Sequence, residues 1–170
     1  MAAGISVMSR KAFATTAPPM TPRSLAFDNL HTGERLRTIY WADGQYLPDS
    51  LAEIDHLLRD FRTNETKGIA PDLLDLLCTI TGRLGTSQPI QLISGYRSPA
   101  TNAQLHARSS EVAKHSLHMD GMAADIRIPG HNLTQLRNAA MSLRAGGVGF
   151  YPHSDFVHVD VGQVRHWTGV

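Results

Sequence analysis

One carboxylate constrains this chain more than any other residue. In Ala123-Ala124-Asp125-Ile126-Arg127-Ile128, Asp125 stands inside an apolar run that reads as a strand. A lone carboxylate buried there is destabilising unless it is paired, hydrogen-bonded or bound to a cation, so Asp125 asks for a cation. Upstream, in Ser116-Leu117-His118-Met119-Asp120-Gly121, a glycine turn separates an imidazole from that carboxylate. His158 lies in a second apolar run, and strand alternation turns its ring away from Val157 and Val159. Two histidine nitrogens and one carboxylate oxygen make a three-ligand zinc set with the fourth tetrahedral position open, as catalytic zinc sites have, whereas structural sites are closed by four ligands. Spacing alone leaves the blander reading in place, because a single strand histidine is usually a hydrogen-bonded core residue.

The rest of the chain predicts an α+β frame for these residues. Leu25 to Leu30 and Arg35 to Trp41 flank the turn-like His31-Thr32-Gly33-Glu34 and read as a β-hairpin. Leu51, Ile54, Leu57, Leu58 and Phe61 recur at helical spacing after a cap at Asp49 or Ser50. A second helix is expected from Pro71 through Leu84, closed by Gly85, and a third over 133–143, capped by Asn132 and stopped at Gly146. Short apolar runs at 90–93, 123–128, 147–150 and 156–159 read as strands. This order predicts a small mixed or antiparallel sheet with flanking helices, not a regular βαβ alternation.

Composition narrows the chemistry. A chain of 170 residues is expected to form one domain, placed at 23–170. Residues 1–22 read as an N-terminal tail or a signal remnant, since Ser9-Arg10-Lys11 precedes small residues but the apolar stretch of about 7–15 residues found in export signals is missing. The net charge of +1 offers no footprint for nucleic acid. No run approaches the roughly 20 apolar residues of an integral membrane segment. Cys78, the single cysteine, lies one helical turn from Leu74 and reads as a packed core thiol. Any metal must therefore sit on histidine and carboxylate.

Ser116, His118, Gly121, Ala123 and Asp125 together resemble the Ser-x-His-x-x-Gly-x-Ala-x-Asp pattern of the zinc D-alanyl-D-alanine-type metallopeptidases. Ser94-Gly95-Tyr96-Arg97-Ser98-Pro99 resembles that family's arginine motif, and Asp155-Phe156-Val157-His158-Val159-Asp160 its closing ligand motif. The likeness runs from about Arg23 to Trp167 and is closest to the murein endopeptidase K branch. It implies a Hedgehog/D-Ala-D-Ala-peptidase-like fold with Zn²⁺ on His118, Asp125 and His158. Arg97 would bind a peptide carboxylate or a developing oxyanion, and Ser116 would contact substrate or shape the turn. Asp155, three residues before the last ligand, takes the position of the family's glutamate general base but is one methylene shorter. Asp160 and His153 are the neighbours that could replace it, and Asp160 could instead orient a ligand histidine. Asn102, His106, His115 and Trp167 are candidates to line a cleft, while Gly146-Gly147-Val148-Gly149 reads only as turn chemistry before a strand.

The function this implies is zinc-dependent hydrolysis of peptide cross-links in peptidoglycan, with stem peptides as partners and the periplasm as location. Two alternatives stay open. One is a D-amino-acid carboxypeptidase of the same family, and the other is a non-catalytic zinc-bearing domain that binds cell wall.

Overall fold

Apolar residues at alternate positions of five strands build one face of a single sheet. In the computed structural model, which describes residues 21–109 and 112–169, the sheet has eight strands. They are β1 (Arg23–Asn29), β2 (Arg35–Ala42), β3 (Gln45–Tyr46), β4 (Ile90–Ser94), β5 (Ala123–Arg127), β6 (Gly147–Tyr151), β7 (Phe156–Asp160) and β8 (Arg165–Thr168), in the order β3-β2-β1-β4-β5-β7-β6-β8. The pairs β1·β4 and β6·β8 are parallel and the others antiparallel. The architecture is α+β with a mixed sheet.

Register explains where the core and the polar groups go. Phe27 pairs with Ile90, Leu92 with Ile126, Ile126 with Val157, and Val159 with Val148. These residues lie on the buried face. One position along, Ser94 pairs with Asp125, Asp125 with His158, His158 with Gly149, and Gly149 with Trp167. Because side chains alternate across a strand, this second row lies on the opposite face.

The helices α1 (Pro48–Leu57), α2 (Pro71–Leu84) and α4 (Leu133–Leu143) cover the apolar face. Helix α2 buries Leu73, Leu74, Leu76, Leu77 and Ile80, each worth about 1.5–3 kcal/mol when withdrawn from water. Cys78 packs partly buried beside this cluster. Gly85 ends α2 in the left-handed conformation, and Asn132 caps α4 with a reciprocal bond to Gln135.

The structure differs from the sequence expectations in several places. Helix α1 begins at Pro48, with Leu47 as a cap that makes no side-chain bond, so Asp49 lies inside the first turn and neither it nor Ser50 is the cap. It also ends before Phe61, because the Leu58 carbonyl accepts Tyr96 N–H at 2.7 Å. Helix α4 stops at Arg144 in the left-handed conformation, not at Gly146. Three elements were not expected: β3, β8 and a helix α3 (Pro99–Arg108). The tail placed at 1–22 lies outside the described residues except for Thr21 and Pro22.

Candidate active site

The cluster begins with local structure. Ser116 starts a 3₁₀ turn (Leu117–Asp120) by accepting His118 N–H on its side chain, and Gly121 closes it with φ near +68°. His118 is thereby aimed at β5. Asp125 and His158 are cross-strand partners on β5 and β7, side by side on one sheet face. All three are buried, at 2%, 6% and 8% exposure for His118, Asp125 and His158.

Their inner atoms converge. His118 Nε2 lies 3.2 Å from Asp125 Oδ1 and 3.2 Å from His158 Nδ1, and His158 Nδ1 lies 2.9 Å from Asp125 Oδ1. The outer nitrogens are already committed. His118 Nδ1–H donates to the Gly95 carbonyl at 2.7 Å, and His158 Nε2–H donates to Asp160 Oδ2 at 3.0 Å. In their neutral forms both imidazoles therefore present a lone pair inward, toward a carboxylate oxygen. Three acceptors facing one another need a positive charge between them.

Electrostatics agree. Burial opposes the Asp125 anion, yet His118 and His158 hold its carboxyl far below the usual carboxylate range. Burial lowers His118, and the nearby Asp125 only partly offsets this. Burial also opposes charge on His158, but hydrogen bonds to Asp125 and Asp160 push it up to about 9. The cluster thus concentrates one proton on His158. A metal ion accepted by the same lone pairs would take that proton's place, and two imidazoles with outer hydrogen bonds plus a carboxylate form a donor set suited to it.

Asp160 fixes His158 from behind. It is fully buried, and Oδ1 accepts Gly147 N–H and Gly162 N–H, each at 2.9 Å, while Arg165 grips both oxygens at 3.1 and 2.7 Å. Every one of these partners donates, so both Asp160 oxygens are held by protein N–H groups. Trp167 lies over His158 with ring centroids 5.3 Å apart, and its Nε1–H donates to the Tyr151 hydroxyl at 2.9 Å. Room for that indole comes from Gly149, where a Cβ would stand 2.6 Å from Trp167 Cε2. The glycine run is therefore part of the site's architecture, and the sequence offered no sign of this because its strand partner β8 was not expected.

A cleft of about 240 Å³ opens over the cluster, lined by Arg97, Ser116, His118, Asp125, His158 and Trp167 among others. Arg97 Nη2 lies 3.6 Å from Asp125 Oδ2, and Nη1 donates to Asn102 Oδ1 at 3.4 Å. His115 and Trp167 line the cleft, whereas Asn102 is buried behind it and His106 bonds Val112 through Nδ1.

Asp155 is the expected site residue that the structure does not bring to the cluster. It adopts a left-handed conformation, φ 55°, in the turn between β6 and β7. Its neighbours Ser154 and Phe156 line the cleft, but Asp155 forms an ion pair with Arg127 and lines a separate cavity with Gln91 and Asn132. His153 is exposed on the same turn and does not line the cleft.

An α+β domain with a buried His-Asp-His set beneath an arginine-bearing cleft has the layout of a metal-dependent hydrolase. A family model described as peptidoglycan L,D-endopeptidase MepK matches residues 17–167. The chain is 48% identical over 167 residues to the peptidoglycan L,D-endopeptidase MepK of Escherichia coli (strain K12), covering 98% of this chain and 91% of that protein. The MepK of Shigella flexneri gives the same figures. A probable peptidoglycan L,D-endopeptidase MepK of Haemophilus influenzae is 43% identical over 171 residues, covering 100% of this chain and 91% of its own length. The chain belongs to the peptidoglycan L,D-endopeptidase MepK family.

Proposed function

We propose that this protein is a zinc-dependent endopeptidase that hydrolyses peptide cross-links in peptidoglycan outside the cytoplasm, in the periplasm. The observation that carries the reading is the convergence of His118 Nε2, Asp125 Oδ1 and His158 Nδ1, since outer partners hold the far nitrogen of each imidazole and the neutral rings turn lone pairs toward the same carboxylate oxygen. Membership in the MepK family supports the substrate class.

When bound, zinc supplies Lewis-acid polarisation of a peptide carbonyl and lowers the proton affinity of water. The chain's own residues do the rest. Gly95 and Asp160 hold the two imidazoles in the tautomers that leave Nε2 of His118 and Nδ1 of His158 free. Arg97, fixed charge at the cleft, stabilises the negative charge that grows on the carbonyl oxygen. Ser116 sets the turn that carries His118 and offers its side chain to the substrate from the cleft wall. Trp167, Tyr151 and Phe156 form an aromatic wall that limits water around the reacting bond.

Digestion of purified muropeptides with zinc-loaded protein, followed by mass spectrometry, tests the reading. Cross-linked dimers should fall to monomers. Release of terminal amino acids alone would make the enzyme a carboxypeptidase, and unchanged muropeptides would make it a binding domain.

A further inference from the structure

Asp60 lies outside every motif discussed above, yet it is only 2% exposed. It stands just beyond α1, in a turn closed by a β-bridge to Glu65. A carboxylate buried this deeply needs donors, and it has them from two stretches of chain. Asp60 Oδ1 accepts Arg62 N–H at 3.0 Å, and Oδ2 accepts Ser98 N–H at 2.9 Å across 38 residues of sequence. Burial opposes its charge, but bonds from Thr101, Ser98 and Arg62 outweigh this and hold the carboxyl below its ordinary range.

The distant stretch, residues 95–98, is where the active site is assembled. On one side it is docked against the end of α1: Tyr96 N–H donates to the Leu58 carbonyl at 2.7 Å. Gly95 approaches so closely that a Cβ would lie 2.5 Å from the same carbonyl oxygen. On the other side it grips the metal-binding imidazole. The Gly95 carbonyl accepts His118 Nδ1–H at 2.7 Å, and Arg97 N–H donates to the His118 carbonyl at 3.1 Å. Ser98 also starts α3, its side chain accepting Thr101 N–H at 3.3 Å. Residues 95–98 therefore sit between Asp60 and His118, with the guanidinium of Arg97 projecting into the cleft.

We propose that Asp60 is a positioning residue of the active site, whose carboxylate holds the 95–98 segment so that Gly95 orients His118 and Arg97 reaches the cleft. The catalytic half of this inference rests on the peptidase reading above, and the metal-binding half does not. A group that acts through a ligand's hydrogen-bond partner should change metal affinity, whereas a group that only stabilises the fold should not.

Two measurements on the full chain decide it. The first is zinc affinity by competition with a chromophoric chelator, for wild type, Asp60→Asn and Thr101→Val, each checked for folding by circular dichroism. Asp60→Asn should bind zinc about 10–100-fold more weakly. Thr101→Val, which removes one hydroxyl from Asp60 at nearly constant volume, should move in the same direction by less and keeps the test open if Asp60→Asn does not fold. Wild-type zinc affinity in the folded variants would overturn the proposal. The second measurement is a cycle with Arg97→Ala at saturating zinc. Asp60→Asn should lower kcat on cross-linked muropeptides by up to about 10²-fold in the wild-type background and have little further effect once Arg97 is gone. Losses that multiply independently would remove Arg97 from the proposal. If the wild type cleaves nothing, the peptidase reading fails while the zinc titration still decides the role of Asp60.

Discussion

Asp125 and Asp75 are both carboxylates with three close side-chain partners, and the difference between them separates chemistry from architecture. Asp75, on α2, receives Arg23 Nη1–H at 2.6 Å and the hydroxyls of Tyr40 and Tyr46 at 2.8 Å each. All three partners bring their own protons, so the anion is satisfied and ties β1, β2 and β3 to the helix. Asp125 faces two imidazoles whose protons are spent elsewhere, on Gly95 and Asp160. Arg97 stands at 3.6 Å on its other oxygen, and the space between carboxylate and imidazoles favours a shared positive charge, a proton on His158 or a metal ion in its place. The same side chain is thus a rivet in one place and part of a receptor in the other, according to which partner holds the proton.

The sharpest way to break this comparison is to remove a ligand. His118→Ala should lose zinc and activity together, read by metal analysis of purified protein and by muropeptide digestion; equal zinc in wild type and variant would mean that the cluster is not the metal site. Next in size is Arg97→Ala, which should keep its zinc while kcat falls by about 10²–10³-fold, the typical effect of removing a group that stabilises transition-state charge. Arg97→Lys should recover little, since an ammonium lacks the planar fork. Wild-type turnover in Arg97→Ala would place the arginine with Asp75 among the architectural groups.

Asp75→Asn should affect stability alone. Losing charge-assisted bonds to a buried tyrosine and an arginine costs about 1–3 kcal/mol, so the melting temperature should drop while zinc content and turnover below it stay unchanged. The pH dependence has a fixed sign. Burial opposes the Asp75 anion, but bonds from Arg23, Tyr40 and Tyr46 lower its pKa in the folded protein. Its contribution is therefore present above the ordinary carboxyl pKa of about 4 and is lost as pH falls through the lower folded value. The deficit of Asp75→Asn against wild type should shrink in that acid range. A deficit that grows on acidification would show that the network is not held by the anion.

The two carboxylates also differ in how plainly they could be read from the sequence. Asp125 announced itself, because a charge in an apolar run has few explanations, whereas strand alternation only turned His158 away from its valines and the motif resemblance joined it to the set. Helix α2 was legible from its leucine spacing. Asp75 gave no signal, since an aspartate on an amphipathic helix looks solvated until β1, β2 and β3 are folded over it. Helix α3 was missed for a related reason: its buried residues are Thr101 and Asn102, so it has no apolar period to detect. Strand β8 is short and largely exposed, and its value lies in Arg165 and Trp167, which act through partners on β7 and β6. Asp60 is of the same kind. Its role depends on a contact across 38 residues, and no local pattern encodes that.

Asp155 is a third kind of carboxylate, and it yields the smallest expected effect. Resemblance to the family's closing ligand motif gave it the place of a general base, but that transfer assumes that the chain runs on regularly into the turn. At Asp155 the backbone passes through the left-handed region, which carries the side chain out from between the cleft-lining Ser154 and Phe156 and onto Arg127. The pair is exposed, at 36% and 59% for the two side chains, and exposed pairs contribute about 0–1 kcal/mol. Unlike Asp125 it is no part of the buried His-Asp-His set, and unlike Asp75 it ties no helix to the sheet. Asp155→Asn should therefore bind zinc normally, melt close to wild type and turn over muropeptides with less than about a tenfold loss, far short of the 10²–10⁴ expected when a general base is removed. A zinc-replete Asp155→Asn slowed by that larger factor would mean that the β6–β7 turn releases Arg127 during turnover and delivers the carboxylate to the cleft, and Arg127→Ala would then be expected to act faster than wild type.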